Sequence, residues 1–272
     1  MMQNSHTNAN FRRPVRSEKK RVTRTLFVCG CPRSGTSAFW NLLHLHKNII
    51  LGNERFNRLV GTEKLNQSLF EFNRFFTFEA GDTFYTRDSS PAYERMYEFM
   101  EAKQSECEVI GDKTPQFYED YDAIFERFAD PYVIFLARNL IDVANSYQQR
   151  SLRNDPTWSR DRDWQLALRQ WNSSMSATVK LLDSENRGKL LIVPYEDFYS
   201  SPKYVERILR FIGLDSDDSF AASSSSVFTE SEELNKDRRY ALTSHMMRAL
   251  INNADIPSYK KLIKSDRSII VD

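Results

Sequence analysis

The sequence predicts an α/β fold: a P-loop-like parallel sheet flanked by helices, with a helical or irregular cap. Three observations support this prediction. An apolar, strand-like run over 24–30 leads through a glycine turn into a helix-like pattern over 36–46. Short apolar runs and helix-length patterns then alternate, as in strands joined by crossover helices. The chain has 272 residues, of which 40% are hydrophobic, so it can bury a full-sized core.

The first strand is RTLFVCG, and the helix after it places its apolar residues at 3.6-residue spacing on one face. Further strands are predicted over 108–114 and 131–138. Each of them precedes a helix, FYEDYDAIFERF after the first and NLIDVANSYQQR after the second. This order is typical of parallel strands whose connections cross the faces of the sheet.

The last third of the chain begins with a predicted helix over 164–182. A strand ending near Pro194 and the helix SPKYVERILRFIGL follow, and Gly213 suits the C-terminal end of that helix. The Ser-rich, charged stretch 215–239 predicts a mobile loop before a final helix around 240–252.

The organisation predicted from these patterns is one domain over 24–272. A polar and basic segment over 1–23 is expected to form a disordered arm in front of it. The Phe-rich block from 56 onward has no strand–helix period, and a cap over about 56–105 is predicted there. We find no internal repeat.

Charge and cysteine content disfavour several function classes. The chain carries 38 Lys plus Arg against 37 Asp plus Glu, a net charge of +1, which provides no global field for nucleic acid or an anionic membrane. No apolar run predicts a transmembrane segment. Three cysteines, Cys29, Cys31 and Cys107, lack the spacing of a disulfide framework or zinc site, so a reducing, cytoplasmic location is expected.

The turn after the first strand nearly matches the nucleotide-binding P-loop. Gly30 and Gly35 have the G-x-x-x-x-G spacing and Ser37 ends the motif, but Thr36 occupies the Lys position and the cation is Arg33. A turn of this kind aims backbone N–H groups and the positive end of a helix dipole at one point. It therefore predicts an anion site. The missing Lys disfavours ATP or GTP and favours a smaller phospho-anhydride.

A second anion site is predicted in FLARNLIDVANSYQQR. Arg138 ends a strand, where open α/β sheets bind ligands, and Ser146 and Arg150 share one face of the next helix. Together they could clamp a separate phosphate. In the alternative, Arg138 pairs with Asp142 and Arg150 is solvated.

These two segments, PRSGTS and ARNLIDVANSYQQR, resemble the two signatures of sulfotransferases that use 3′-phosphoadenosine-5′-phosphosulfate (PAPS). The resemblance extends to GDKTPQF, VPYEDFYSSPKYVERILRFIGL and HKNIILGNERF, and covers most of 26–214. It implies PAPS as cofactor, adenosine 3′,5′-bisphosphate (PAP) as product and no metal. The residues it assigns to the 5′-phosphosulfate are Arg33, Ser34, Gly35, Thr36 and Ser37. Those it assigns to the 3′-phosphate are Arg138, Ser146 and Arg150.

Motif spacing is most similar to the tyrosylprotein sulfotransferase branch and its bacterial relatives, which use a Glu as base. Glu54 lies 21 residues after Arg33, as that branch's catalytic Glu does. The resemblance further implies that Lys113, with Arg33, assists the leaving group and that Tyr195 contacts the nucleotide. The chain lacks the membrane anchor and cysteine pattern of the secretory enzymes, which does not favour protein tyrosine as the acceptor.

Position along the chain also favours Glu54 over the histidines as the base. His44 and His46 lie at the far end of the first helix, and His46 is about 15 Å from its phosphate end at 1.5 Å per residue. The eight residues from His46 to Glu54 can reach back to the loop. In the alternative, Glu54 is a structural surface residue and Lys113 an ordinary exposed one.

The predicted activity is transfer of a sulfuryl group from PAPS to an acceptor hydroxyl by in-line displacement. A carbohydrate or glycan acceptor is favoured, with a small-molecule alcohol or phenol next; Trp158, Trp164 and the Phe-rich run 70–78 are candidates for stacking on it. A nucleotide-dependent kinase on the same fold and a non-catalytic nucleotide-binding protein are the remaining alternatives. Three residues of the late segment are candidates to fold over the nucleotide: Ser231, Lys236 and Arg238.

Overall fold

The computed structural model describes residues 24–153, 156–198, 201, 203–215, 220–221, 224, 228 and 241–270. The predicted arm and most of the predicted mobile loop lie outside these residues. The three late residues proposed to fold over the nucleotide, Ser231, Lys236 and Arg238, lie outside them as well.

The described strands form one five-stranded sheet in the order β2-β3-β1-β4-β5, and every neighbouring pair is parallel. This confirms the predicted α/β class and the parallel sheet. The strands are β1 (Arg24–Gly30), β2 (Ile49–Asn53), β3 (Val109–Lys113), β4 (Pro131–Ala137) and β5 (Leu190–Pro194). The central position of β1 puts the glycine turn that follows it in the middle of one sheet edge.

Helices flank the sheet and follow the strands as predicted. In the described chain they are α1 (Thr36–His44), α2 (Phe72–Phe76), α3 (Pro91–Glu101), α4 (Tyr121–Arg127), α5 (Leu140–Ser151), α6 (Trp164–Leu182), α7 (Tyr195–Phe198), α8 (Lys203–Phe211), α9 (Ser244–Asn253) and α10 (Ile256–Ile263). Short 3₁₀ turns cover Gln67–Phe70, Arg87–Ser89, Pro115–Glu119 and Glu185–Lys189. Gly213, with a φ of 73°, follows α8 as expected for a helix C-terminus. Among the described helices, none has both the length and the apolar character needed to cross a membrane.

Several elements and boundaries differ from the sequence-based expectation. Strand β2 and helix α10 were not predicted, and α1 ends two residues early, where the Lys103 ammonium donates hydrogen bonds to the His44 and His46 carbonyls (2.7 and 3.3 Å). The helix expected over 117–128 is split, because the 3₁₀ turn that starts at Pro115 ends before α4 begins.

Two apolar layers cover the two faces of the sheet, since side chains along β1 alternate between them. Phe27 packs edge-on against Phe70, Phe117 and Phe128, at centroid distances of 4.8 to 5.6 Å. The run 70–78 therefore serves mainly as core, with Phe75 fully buried, and not as an exposed stacking surface.

A buried ion cluster holds the segment between β2 and α3 in place. The Arg55 side chain is fully buried and donates to the Asp82 carboxylate at 2.9 Å, and Arg74 donates to the same carboxylate at 2.7 and 2.9 Å. Arg55 also donates to the carbonyls of Phe75 and Thr77. Because Arg55 directly follows Glu54, this cluster anchors the chain at the candidate base.

Candidate active site

The carboxyl ends of β1 to β4 open into a cleft of about 550 Å³. In parallel α/β sheets this edge is where ligands bind. The predicted site residues that line it are Arg33, Gly35, Thr36, Ser37, Glu54, Arg138, Ser146 and Arg150. The fold thus brings together residues that lie up to 117 positions apart in the sequence.

The loop before α1 has the conformation expected for an anion cradle. Arg33 and Gly35 adopt left-handed φ values of 72° and 88°. Helix α1 begins directly after Gly35, so the free N–H groups of its first turn lie at the loop. The Ser34 hydroxyl is buried and has no hydrogen-bond partner among the described residues. A Cβ at Gly35 would lie 2.2 Å from the Tyr195 ring, so Gly35 is required for this close packing.

Tyr195 lies behind the loop rather than in the lining of the cleft. Its ring is buried against Gly35, and the Arg138 guanidinium carbon lies 4.1 Å from the ring centroid. Tyr195 therefore supports the loop and Arg138 together. Its contact with the nucleotide stays a prediction.

The two predicted anion sites are joined by hydrogen bonds. The Arg33 Nε donates to the Ser146 hydroxyl at 3.0 Å, and Arg138 donates to the Arg33 carbonyl at 3.1 Å. Burial, and after it the nearby charge of Arg150, lower the pKa of Arg33. Arg138 also lies 3.8 Å from Asp142, so the pairing considered as an alternative is present at the limit of ion-pair distance.

Trp158 is covered by guanidinium groups rather than open to an acceptor. Arg162 and Arg150 lie 4.0 and 4.5 Å from its ring centroid, and Trp158 is 7% exposed. Arg150 also donates to the Thr157 hydroxyl at 3.3 Å. Trp164 packs against the core. Neither tryptophan offers the open face expected for stacking on a sugar.

Glu54 and Lys113 meet because β2 and β3 are neighbours. Asn53 and Lys113 are in register, and Glu54 N–H donates to the Lys113 carbonyl at 2.8 Å. The Lys113 ammonium then lies 3.0 Å from Glu54 Oε1 and 3.5 Å from the Ser37 hydroxyl. Lys113 is almost fully buried, whereas the Glu54 side chain is 28% exposed toward the cleft. The ion pair therefore faces the anion loop.

Asp112 is a positioning residue that sequence reasoning missed. Its carboxylate is fully buried and accepts hydrogen bonds from the N–H groups of Arg55 and Phe56, both at 3.0 Å. Burial raises the pKa of Asp112, although these two N–H groups oppose that shift. The carboxylate fixes the turn after Glu54, whose own φ is 60°. The run GDK beside the implied Lys113 was the available signal.

The rival histidines do not line the cleft. His44 stacks on Trp40 at a centroid distance of 4.5 Å, and burial followed by the charge of Lys103 lowers the pKa of His44 to about 3. His46 is 1% exposed, and its Nε2 lies 3.1 Å from the Asp215 carbonyl oxygen. Both rings serve the packing of α1.

Exposed aromatic side chains lie instead on the wall beside Glu54. Phe84 and Tyr85 line the cleft and are 69% and 41% exposed. Asn57 connects this wall to the base, since its amide donates to Glu54 Oε2 at 3.5 Å and its carbonyl accepts from Phe84 N–H at 3.2 Å. Thr83 donates to the Glu54 carbonyl at 2.7 Å and accepts from Tyr85 N–H. No cluster of metal-ligating side chains occurs within the described ranges.

A parallel sheet whose central strand leads into an anion loop is typical of proteins that bind nucleotide phosphates. Residues 25–218 match the model of the Sulfotransferase family. The chain belongs to this family, and the predicted class, a PAPS-dependent sulfotransferase, is confirmed.

Solved structures share the fold at low sequence identity. Mouse sulfotransferase SULT7A1 complexed with PAP has a TM-score of 0.52 and 15% identity, covering 90% of this chain and 86% of its own. The sulfotransferase domain of the Synechococcus PCC 7002 olefin synthase has a TM-score of 0.51 and 17% identity, covering 86% and 95%. Sulfotransferase STF1 of Mycobacterium tuberculosis has a TM-score of 0.50 and 17% identity, covering 84% and 76%. No curated protein sequence matches the chain.

Proposed function

We propose that the protein transfers a sulfuryl group from PAPS to an acceptor hydroxyl, with Glu54 as the general base. The observation that carries the proposal is the contact of Glu54, Lys113 and Ser37 at the mouth of the anion loop. A base needs access to the acceptor, and the cation beside it needs access to the leaving oxygen. The carboxylate is 28% exposed, and the Lys113 ammonium lies 3.0 Å from it and 3.5 Å from the Ser37 hydroxyl, next to the anion loop.

The residues of the cleft fit the anionic groups of PAPS. The loop amides, the unpartnered Ser34 hydroxyl and Arg33 would hold the 5′-phosphosulfate, and Arg138, Ser146 and Arg150 the 3′-phosphate. PAPS, when bound, supplies an activated sulfuryl group whose bond to the phosphate oxygen breaks as a bond to the acceptor oxygen forms.

The chain's own residues then have separate tasks. Glu54 accepts the proton of the acceptor hydroxyl, Asn57 donates to its carboxylate, and Asp112 holds the main chain just after Glu54. Lys113 and Arg33 stabilise the negative charge that develops on the leaving oxygen. Thr36 and Ser37 present the first amides of α1, and the loop orients the reacting group for in-line attack.

For the acceptor we propose a carbohydrate or glycan hydroxyl. Phe84 and Tyr85 provide open aromatic surface next to the base, which suits the apolar face of a sugar ring. The same surface suits a phenol or small alcohol, the second candidate. The described cysteines are buried free thiols, which is consistent with the proposed cytoplasmic location.

Two measurements test the proposed function: the melting temperature with PAP or with ATP and Mg²⁺, and the transfer of sulfuryl from PAPS. We expect PAP to raise the melting temperature and ATP with Mg²⁺ to leave it unchanged, because Thr36 replaces the P-loop Lys. Transfer of labelled sulfuryl from PAPS to a panel of hydroxyl acceptors should persist in EDTA. Stabilisation by ATP with Mg²⁺ alone, with phosphoryl transfer that EDTA abolishes, would instead identify a kinase.

Arg138→Ala should weaken PAP binding by roughly ten- to a hundredfold, since a charge-assisted hydrogen bond to phosphate contributes about 1.5–3 kcal/mol. Binding of adenosine 5′-phosphosulfate, which has no 3′-phosphate, should change little. Calorimetry with both ligands makes the comparison. Equal losses for the two would show that Arg138 only supports the loop through its bond to the Arg33 carbonyl.

A further inference from the structure

Arg162 is a positively charged residue of the cleft to which the proposed function assigns no contact with the nucleotide. It lines the cleft, and its guanidinium carbon lies 4.0 Å from the centroid of the Trp158 ring. The Trp158 indole N–H donates to the Arg162 carbonyl at 2.9 Å, so the ring and the main chain of Arg162 are bound to each other. The Trp158 ring therefore supports the Arg162 side chain.

Arg162 has no ion-pair partner in the part of the chain that the structure describes. Within the described residues no carboxylate lies within ion-pair distance of it. Some other described arginines have such a partner, as Arg187 has in Asp266 at 2.7 Å. A stacked guanidinium in a cleft, with its N–H fork unpaired, is suited to bidentate binding of a carboxylate or another oxyanion.

The anionic groups of the nucleotide do not need Arg162 as a partner. Arg33, Arg138, Arg150 and the loop amides already meet the phosphosulfate and the 3′-phosphate in the proposed function. Arg150 and Arg162 lie 4.5 and 4.0 Å from the centroid of the same Trp158 ring, so Arg162 is a neighbour of the proposed 3′-phosphate site. The remaining ligand of a sulfotransferase is its acceptor.

We propose that Arg162 binds an oxyanion carried by the acceptor, so that the acceptor is an acidic hydroxyl compound. This inference rests on the proposed sulfuryl transfer and specifies the class of its acceptor. An acidic saccharide, such as one containing a uronic acid, combines such a group with the sugar ring expected beside Phe84 and Tyr85.

The test uses the 272-residue chain saturated with PAP and calorimetric titration with matched probes. One pair is 4-nitrophenyl β-D-glucuronide and 4-nitrophenyl β-D-glucoside, and the second is 4-hydroxybenzoate and 4-hydroxybenzamide. We expect the acid of at least one pair to bind about ten- to a hundredfold more tightly than its neutral partner, the range of a charge-assisted hydrogen bond. Arg162→Gln should abolish that preference, and Arg162→Lys should restore part of it.

Arg160→Gln is the matched control, because Arg160 is exposed two residues away and does not line the cleft. It should keep the preference, and all three variants should keep wild-type affinity for PAP. Equal binding of acids and neutral partners to the wild type would overturn the proposal, as would a loss of PAP affinity in Arg162→Gln. Failure of PAP to bind the wild type would instead refute the proposed function.

Discussion

Replacing Glu54 with Gln should lower kcat by about 10² to 10⁴, the range that general base catalysis contributes. The amide keeps the volume of the side chain but cannot accept the proton of the acceptor hydroxyl. Affinity for PAP should stay near that of the wild type, because the groups proposed to bind phosphate are unchanged. Calorimetry with PAP and kcat measured on the same preparation separate the two effects.

Glu119→Gln is the matched control for this variant, since Glu119 is another carboxylate that lines the cleft. It should keep kcat within a few-fold of the wild type. A Glu54→Gln protein with wild-type kcat would remove Glu54 from the mechanism. A variant that loses melting temperature, PAP affinity and rate together would assign Glu54 a structural role through its ion pair with Lys113.

Asp82→Ala should lower the free energy of unfolding by about 3–5 kcal/mol, because it leaves the fully buried Arg55 guanidinium without its carboxylate. For a domain of this size that corresponds to a fall in melting temperature of roughly 6–20 °C. Burial opposes ionisation of Asp82, but hydrogen bonds from Arg74, the Glu79 main chain and Arg55 outweigh it and lower the pKa of Asp82. Its stabilisation should therefore be lost as pH falls below the ordinary Asp range.

Asp266→Ala is the control for that measurement. It removes an aspartate paired with an arginine at 2.7 Å, but both side chains are at least half exposed. Exposed pairs contribute about 0–1 kcal/mol, so the melting temperature should change little. Equal effects of the two substitutions would show that the buried cluster does not stabilise the segment after Glu54.

The elements with a strong apolar period were predictable from the sequence, and those fixed by tertiary contacts were not. The strands β1, β3 and β4 are apolar runs followed by helix-length patterns, and the structure places them where the pattern does. Strand β2 has five residues, includes Gly52 and lies at the edge of the sheet. Its Ile and Leu residues suit a strand, but the apolar run is only three residues long, and its pairing with β3 defines its extent.

The candidate site divides in the same way. The loop around Arg33 and the helix of Ser146 carry local motifs, and resemblance to a family supplied Glu54 and Lys113. Asp112 and Arg55 act through contacts with chain segments that are distant in sequence, such as the bond from Arg55 N–H to Asp112. A buried arginine and an exposed one look alike in a sequence, so no local signal indicated that Arg55 is buried.

The two non-glycine residues with left-handed backbones, among those described, are Arg33 and Glu54, on either side of the proposed reaction centre. Such conformations store about 1–3 kcal/mol each, and glycine adopts them without strain. In a selection for protein abundance, glycine would therefore be favoured at Arg33, whereas at Glu54 the relief of strain is opposed by the loss of the carboxylate that pairs with the buried Lys113 ammonium. In a selection for activity it would be eliminated, since both functional groups would be lost. Positions where glycine is favoured for abundance but eliminated for activity would therefore mark the reaction centre. The same comparison could be made in a relative whose acceptor is unknown.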